Sequence, residues 1–291
     1  MPTLFSQIKN YLSLVKFSHT IFAMPFAVSG FFLGVKDCGD GISLRLLLLM
    51  LLCMIFARNA AMAFNRLTDN RFDKLNPRTS NRELPARIIS YNAVLSFTLF
   101  NALLFIVTTY FINNLCFFLS PVALLVILGY SYTKRFTVLS HFFLGLALSL
   151  APLGAYLVVC NHFDFQPLLL SFSVLLWVAG FDIIYALQDI AFDRAHNLRS
   201  VPAFLGYRGA RILAFVVHII SLILLINFGL LLPGKALVYF IGLGIFSLLI
   251  LFQHFLVLRY GLEKINSAFF INNGIGSLVF GVFTCLELIL R

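Results

Sequence analysis

Charge is what this sequence has least of. Only 11% of its 291 residues are Asp, Glu, Lys or Arg, against about a quarter in an ordinary soluble domain. Acids are the scarcest, 11 against 21 basic residues. Polar faces at helical spacing are also missing. Most long segments are apolar all round, which excludes a soluble helical bundle. No Cys-x-x-Cys occurs, and the six histidines are dispersed, so the common zinc and dithiol motifs are excluded.

What is present is hydrocarbon, with 61% hydrophobic residues and a mean hydropathy of +0.98. Apolar runs of about 18 to 22 residues recur from end to end, the length at which a helix spans about 30 Å of bilayer. The expectation is an all-α, polytopic membrane protein, one domain over 1–291, with nine transmembrane helices. They are placed near 18–36, 44–64, 91–111, 113–131, 139–160, 167–187, 211–232, 236–257 and 267–289. The first run has no convincing small-residue cleavage site and reads as a span, not a signal peptide. Residues 3–16, "TLFSQIKNYLSLVK", are amphipathic and suit the membrane surface.

A net charge of +10 could suggest nucleic acid, but its distribution points to a membrane. With nine spans, only Lys36, Arg45, Lys235 and Arg291 of the 21 basic residues fall on the far side from the N-terminus. The positive-inside rule then puts the N-terminus and the loops after the even-numbered spans in the cytoplasm. Of Cys38, Cys53, Cys116, Cys160 and Cys285, three fall near non-cytoplasmic ends, where a disulfide is open to them. Scattered as they are, they read chiefly as small core residues.

The few charges gather in "FNRLTDNRFDKLNPRTSNRELP", residues 64–85. On a helix Asn65, Asp69 and Asp73 drift about 40° and rise about 6 Å per step, forming one stripe. Tyr185, Asp189 and Asp193 repeat that spacing in "GFDIIYALQDIAFDRAHNLRS", each 120 residues after its counterpart. Both stripes leave a span on the cytoplasmic side. Spans 2 and 6 run in the same direction, which suggests a pseudo-repeat of two halves facing across a central cavity. Hard cations such as Mg2+ take oxygen ligands, commonly one or two carboxylates plus substrate phosphates. Two facing pairs suit two Mg2+ ions clamping a diphosphate, with Arg66, Arg71, Arg82, Lys134, Arg135 and Arg199 taking up the remaining phosphate charge. Arg58 lies within a span, where a charge is usually functional. It either binds a substrate carboxylate or neutralises an aspartate, and Asp182 is placed to orient Arg58 or Tyr185. Lys16 and His19, at the entry to the first span, are weaker substrate contacts; Lys16 reads better as an interfacial anchor.

These segments resemble the UbiA superfamily of intramembrane aromatic prenyltransferases along nearly the whole chain. The family pattern N-D-x-x-D-x-x-x-D followed by D-x-x-x-D is matched by Asn65-Arg66-Leu67-Thr68-Asp69-Asn70-Arg71-Phe72-Asp73 and by Asp189-Ile190-Ala191-Phe192-Asp193. "RTSNRELP" and "YTKRFT" are similar to family segments as well. Arg66 departs from the pattern, standing where many members carry aspartate. The wording around the motifs resembles the 4-hydroxybenzoate polyprenyltransferase branch, which includes enzymes of the futalosine route to menaquinone. The resemblance implies an integral protein of a bacterial inner membrane with a cytoplasmic active site. In it Mg2+ on Asn65, Asp69, Asp73, Asp189 and Asp193 holds a polyprenyl diphosphate. The aromatic acid acceptor is 4-hydroxybenzoate or 1,4-dihydroxy-6-naphthoate, contacted by Arg58, Tyr185 and Asp182. Phenylalanines, 34 in number, are expected to face lipid, pack between helices or line a tunnel for the prenyl tail.

Two rival classes fit the residues less well. A secondary transporter also has repeats and intramembrane charge, but it sets them near the midplane beside broken helices. A CDP-alcohol phosphotransferase needs Gly-x-x-Ala-Arg after its first acids, which follows neither Asp69 nor Asp189.

Overall fold

A computed structural model of the chain describes residues 4–16, 22–39, 41–265 and 271–290. The described residues contain helices and turns and no strand. In chain order the helices are α1 (Leu4–Leu14), α2 (Met24–Cys38), α3 (Leu44–Leu75), α4 (Tyr91–Tyr110), α5 (Asn114–Gly129) and α6 (Ser140–Cys160). Then come α7 (Phe165–Tyr185), α8 (Ile190–Ala195), α9 (Val201–Leu230), α10 (Leu237–Tyr260) and α11 (Asn273–Ile289). Seven helical stretches are long and apolar enough to cross a membrane. They match the second to eighth expected spans. At the first and ninth positions stand α2 and α11, of 15 and 17 residues, shorter than the about 20 residues a full crossing takes. Residues 18–21 and 267–270 of those two spans lie outside the described residues.

The chain forms two compact units. The first holds residues 1–20 and 48–132. Here α1 packs by its apolar face instead of lying free: Leu14 is buried with Ala63, Leu67, Leu84, Ile89 and Val94, and Tyr11 meets Phe97. Leu84 and Ile89 tie the loop after α3 into that cluster. Asn59 Nδ2 donates to Asn101 Oδ1 at 3.1 Å and links α3 to α4. In α5, Pro121 cannot donate to the Phe117 carbonyl. Ser120 Oγ takes its place at 2.8 Å, so the helix continues.

The second unit holds residues 21–47 and 133–291. Its helices approach closely where one of them carries glycine. A Cβ on Gly30 of α2 would stand 2.1 Å from the Pro152 carbonyl oxygen of α6, and one on Gly145 of α6 would stand 2.3 Å from the Leu175 carbonyl oxygen of α7. Small residues at such contacts are how helices pack tightly in lipid. The aromatic core joins Phe26, Trp177, Phe246 and Phe280, with ring centroids 5.0 to 6.2 Å apart. Glu287, 2% exposed, accepts from the Val238 and Tyr239 amides at 2.9 and 3.2 Å. It thereby caps the start of α10 from α11, a use for buried charge that helix N-termini invite.

One cysteine expectation is corrected. Cys38 and Cys160 form a disulfide with their Cα atoms 5.3 Å apart, while Cys53, Cys116 and Cys285 are free. The reason is packing: the tight α2–α6 crossing brings the C-terminal ends of both helices together. The 122 residues between the two cysteines hide that proximity in the sequence.

Candidate active site

The first stripe lies in the first unit, on one uninterrupted helix. At 1.5 Å per residue, the 32-residue α3 is about 48 Å long, well beyond the about 30 Å of hydrocarbon. Its last turns therefore carry polar groups at little desolvation cost. Asn65 Nδ2 donates to Asp69 Oδ2 at 3.0 Å, fixing an amide and a carboxylate on one face. Asp73 is buried, and both of its carboxylate oxygens accept from Arg82 Nη1, at 2.8 and 3.0 Å. Thr79 Oγ1 donates to the Asp73 carbonyl at 3.1 Å, which folds the loop back over the stripe.

The cations around this stripe differ in kind. Arg66 is 3% exposed and lies within electrostatic reach of Asp73, Glu83, Arg82 and Tyr130. Its surroundings are those of a buried counter-ion. Glu83, also buried, accepts from the Ser13 hydroxyl of α1's C-terminal end. Arg71 is exposed. Arg58 Nη2 donates to the Lys16 carbonyl at 3.1 Å, so this intramembrane arginine steadies the end of α1. His19 lies outside the described residues.

The second stripe lies in the second unit, and its backbone differs from the first. α7 ends at Tyr185, residues Ala186–Asp189 form a 3-10 turn, and α8 begins at Ile190. The Gln188 side chain folds back on this turn, its Nε2 donating to the Tyr185 carbonyl at 2.9 Å. A 3-10 turn holds 3.0 residues, not 3.6, so Tyr185 and Asp189 are not stacked on one continuous α-helical face. Equal sequence spacing does not give equal geometry here. Asp193 is 2% exposed and accepts from Ser200 Oγ at 2.7 Å. Ser200 is also the N-cap of α9, accepting from the Ala203 amide at 3.3 Å.

Lys134 and Arg135 end a 3-10 segment, Tyr130–Arg135. Arg199 clamps the end of that segment: its amide donates to the Lys134 carbonyl at 2.7 Å and its Nη1 to the Phe136 carbonyl at 2.8 Å. Lys134 is within electrostatic reach of Asp182 and Asp193. Asp182, expected to orient Arg58 or Tyr185, is held by His141 Nδ1 at 2.6 Å. Sequence reasoning missed His141, Glu83 and Ser200. Only Ser200 was open to detection, because Ser-Val-Pro is a readable N-cap with proline in the first turn.

The donor set suits a hard divalent cation. It consists of amide and carboxylate oxygens, with no sulfur. Among the described residues no three His, Cys, Asp or Glu side chains are gathered as a ready cage. Mg2+ does not require one, since it keeps waters and takes ligand oxygens from phosphates. Asp73 is committed to Arg82 in this structure, so a cation there has to share that carboxylate with the guanidinium.

Comparison with known proteins bears on the whole chain. The 4-hydroxybenzoate octaprenyltransferase of Aliivibrio fischeri (strain MJ11) is 28% identical over 237 residues, covering 81% of this chain and 82% of that protein. The apo structure of a UbiA homolog from Aeropyrum pernix K1 superposes with a TM-score of 0.80 at 27% identity, over 94% of this chain and 97% of that one. A UbiA homolog from Archaeoglobus fulgidus, solved bound to DMAPP and Mg2+, shares the fold at a TM-score of 0.72 and 23% identity, over 97% of this chain and 100% of that one. The family profile described as the UbiA prenyltransferase family matches residues 23–274, a stretch that contains both acidic motifs. The chain belongs to the UbiA prenyltransferase family and is a polyprenyltransferase.

Proposed function

We propose that the protein transfers a polyprenyl group from its diphosphate to a ring carbon of an aromatic carboxylic acid in respiratory quinone biosynthesis. The observation that carries this is the family match over residues 23–274, joined to relatives named for 4-hydroxybenzoate at 27 to 28% identity. The acceptor is 4-hydroxybenzoate or 1,4-dihydroxy-6-naphthoate, the two rings that the resemblance of "FDIIYALQD" and "NPRTSNRELP" leaves open. In this reading α2 and α11 complete nine spans, and the acidic stripes serve one diphosphate from the cytoplasmic side of a bacterial inner membrane.

Asn65, Asp69, Asp73, Asp189 and Asp193 are the residues to hold Mg2+, as two ions. Bound there, the metal supplies positive charge to a diphosphate leaving group. The protein's own part is distinct from that. Lys134, Arg135, Arg71, Arg82 and Arg199 surround the phosphate oxygens with donors. Asn65 keeps Asp69 aimed, as its 3.0 Å bond indicates. Ser200 does the same for Asp193. Arg58 meets the acceptor carboxylate, and Asp182 with Tyr185 takes the acceptor hydroxyl. Exclusion of bulk water by the bundle keeps the allylic cation from being quenched before the ring attacks. The family match favours this chemistry over the transporter reading.

The test uses purified protein in nanodiscs with Mg2+ and a polyprenyl diphosphate. The two acceptors are offered in parallel, with an EDTA control, and products are identified by mass spectrometry. A Mg2+-dependent prenylated ring is the expected result, and the ring that reacts assigns the route. Absence of product with both rings overturns the acceptor assignment. Failure to bind the diphosphate as well overturns the transferase reading of the site.

A further inference from the structure

His141 belongs to neither acidic stripe, yet it is built into the second unit's site. The imidazole is 0% exposed, and its Nδ1 lies 2.6 Å from Asp182 Oδ2. A carboxylate oxygen accepts, so Nδ1 is the donor and carries the hydrogen. The Asp182 side chain is 21% exposed, against 0% for His141. Asp182 is thus the partly accessible member of the pair and His141 the enclosed one. His141 Nε2 is buried without a hydrogen-bond partner among the described residues. An unsatisfied buried ring nitrogen is destabilising, so packing alone does not favour histidine at this position. An apolar residue would fill the space without that cost. What histidine adds is one directed donor to Asp182.

We propose that His141 is a positioning residue for the aromatic acceptor, acting through Asp182. Its Nδ1–H pins one carboxylate oxygen, which leaves the other turned toward the acceptor hydroxyl and the side chain in one rotamer. Lys134 is also within electrostatic reach of Asp182. The proposal rests on the reading of Asp182 as an acceptor contact.

The experiment compares His141→Phe, His141→Asn and His141→Gln in the nanodisc assay, with KM measured separately for acceptor and polyprenyl diphosphate. An Asn amide nitrogen reaches the place of Nδ1, whereas that of Gln reaches the place of Nε2. Loss of a hydrogen bond to a charged group corresponds to about a tenfold change. His141→Phe is therefore expected to raise the acceptor KM about tenfold and leave the diphosphate KM unchanged. His141→Asn restores most of the loss and His141→Gln does not. In an Asp182→Asn background, His141→Phe has no further effect on acceptor KM. Should His141→Phe fail to fold, the Asn and Gln pair carries the same contrast. Unchanged acceptor KM in the variants, or equal loss on both substrates, overturns the inference alone. A wild-type protein that prenylates neither ring overturns it together with the acceptor reading.

Discussion

Asp69 belongs to the first stripe and Asp193 to the second, and the protein holds them by different means. Asp69 is fixed by an amide four residues earlier on its own helix. Asp193 is fixed by a serine that begins the next helix. Each device orients a carboxylate through one of its oxygens, and Asp-to-Asn keeps the side chain's shape, so removing charge from either stripe should act on chemistry more than on folding. Asp69→Asn and Asp189→Asn are expected to abolish turnover while each protein elutes and melts like the wild type. Near-normal turnover in both purified variants would show that the stripes do not carry the reaction. Arg66 should behave in the opposite way. Because it is 3% exposed and within electrostatic reach of Asp73 and Glu83, removing it takes a buried positive charge away from two buried carboxylates, which is destabilising. Arg66→Met should lower the melting temperature steeply, and its surviving fraction should keep a diphosphate KM within about twofold of the wild type. A well-folded variant with a much weakened diphosphate KM would return Arg66 to the phosphate site. Here the sequence was legible only in part. Spacing exposed every acid of the two stripes, but the position of Arg66 inside the charged segment gave no sign of its burial. His141 carried no signal at all, since a lone histidine near a span end is an ordinary residue until the fold sets it against Asp182.

At the scale of elements, helical periodicity and apolar length located every helix from α3 to α10 except the short α8. Breaks within helices were harder to see. The 3-10 turn at Ala186–Asp189 and the bend in α9 depend on local backbone choices that an apolar pattern does not register. Gly206 has φ 70° and ψ 179° inside α9, a combination essentially restricted to glycine. The bend frees carbonyls from the helical ladder, and Arg194 Nε donates to that of Ala203 at 2.9 Å. It also lets the first turn of α9, headed by Ser200, sit against Asp193. Space is not the obstacle to a side chain, because the nearest atom to an added Cβ is Arg194 Nη2 at 3.9 Å. Gly206→Ala should therefore be destabilising through backbone strain, by about 1 to 3 kcal/mol. It should also weaken diphosphate binding through Ser200 and Asp193. Thermal melts and diphosphate KM together check this. A variant that melts normally with an unchanged KM would show that the bend is dispensable to the site.

At the scale of the whole molecule, two independent features speak to orientation. One is the distribution of basic residues, which under the nine-span reading leaves only Lys36, Arg45, Lys235 and Arg291 outside. The other is covalent. The Cys38–Cys160 disulfide lies at the ends of α2 and α6 that the charge rule assigns to the non-cytoplasmic face, and disulfides persist in oxidising compartments such as the bacterial periplasm. Cys53, Cys116 and Cys285 are free and only partly buried, so the three must be replaced by alanine before the bridge is probed alone. In that background, mass-tagging of thiols in denaturant should add nothing unless a reductant is given first, and two tags afterwards. The same protein made in a host lacking periplasmic dithiol oxidation should take up both tags without reduction. If two tags enter without reductant in the oxidising host as well, the two cysteines face a reducing compartment. The charge rule and the cytoplasmic placement of the acidic stripes would then have to be inverted together, because both depend on the same count of spans.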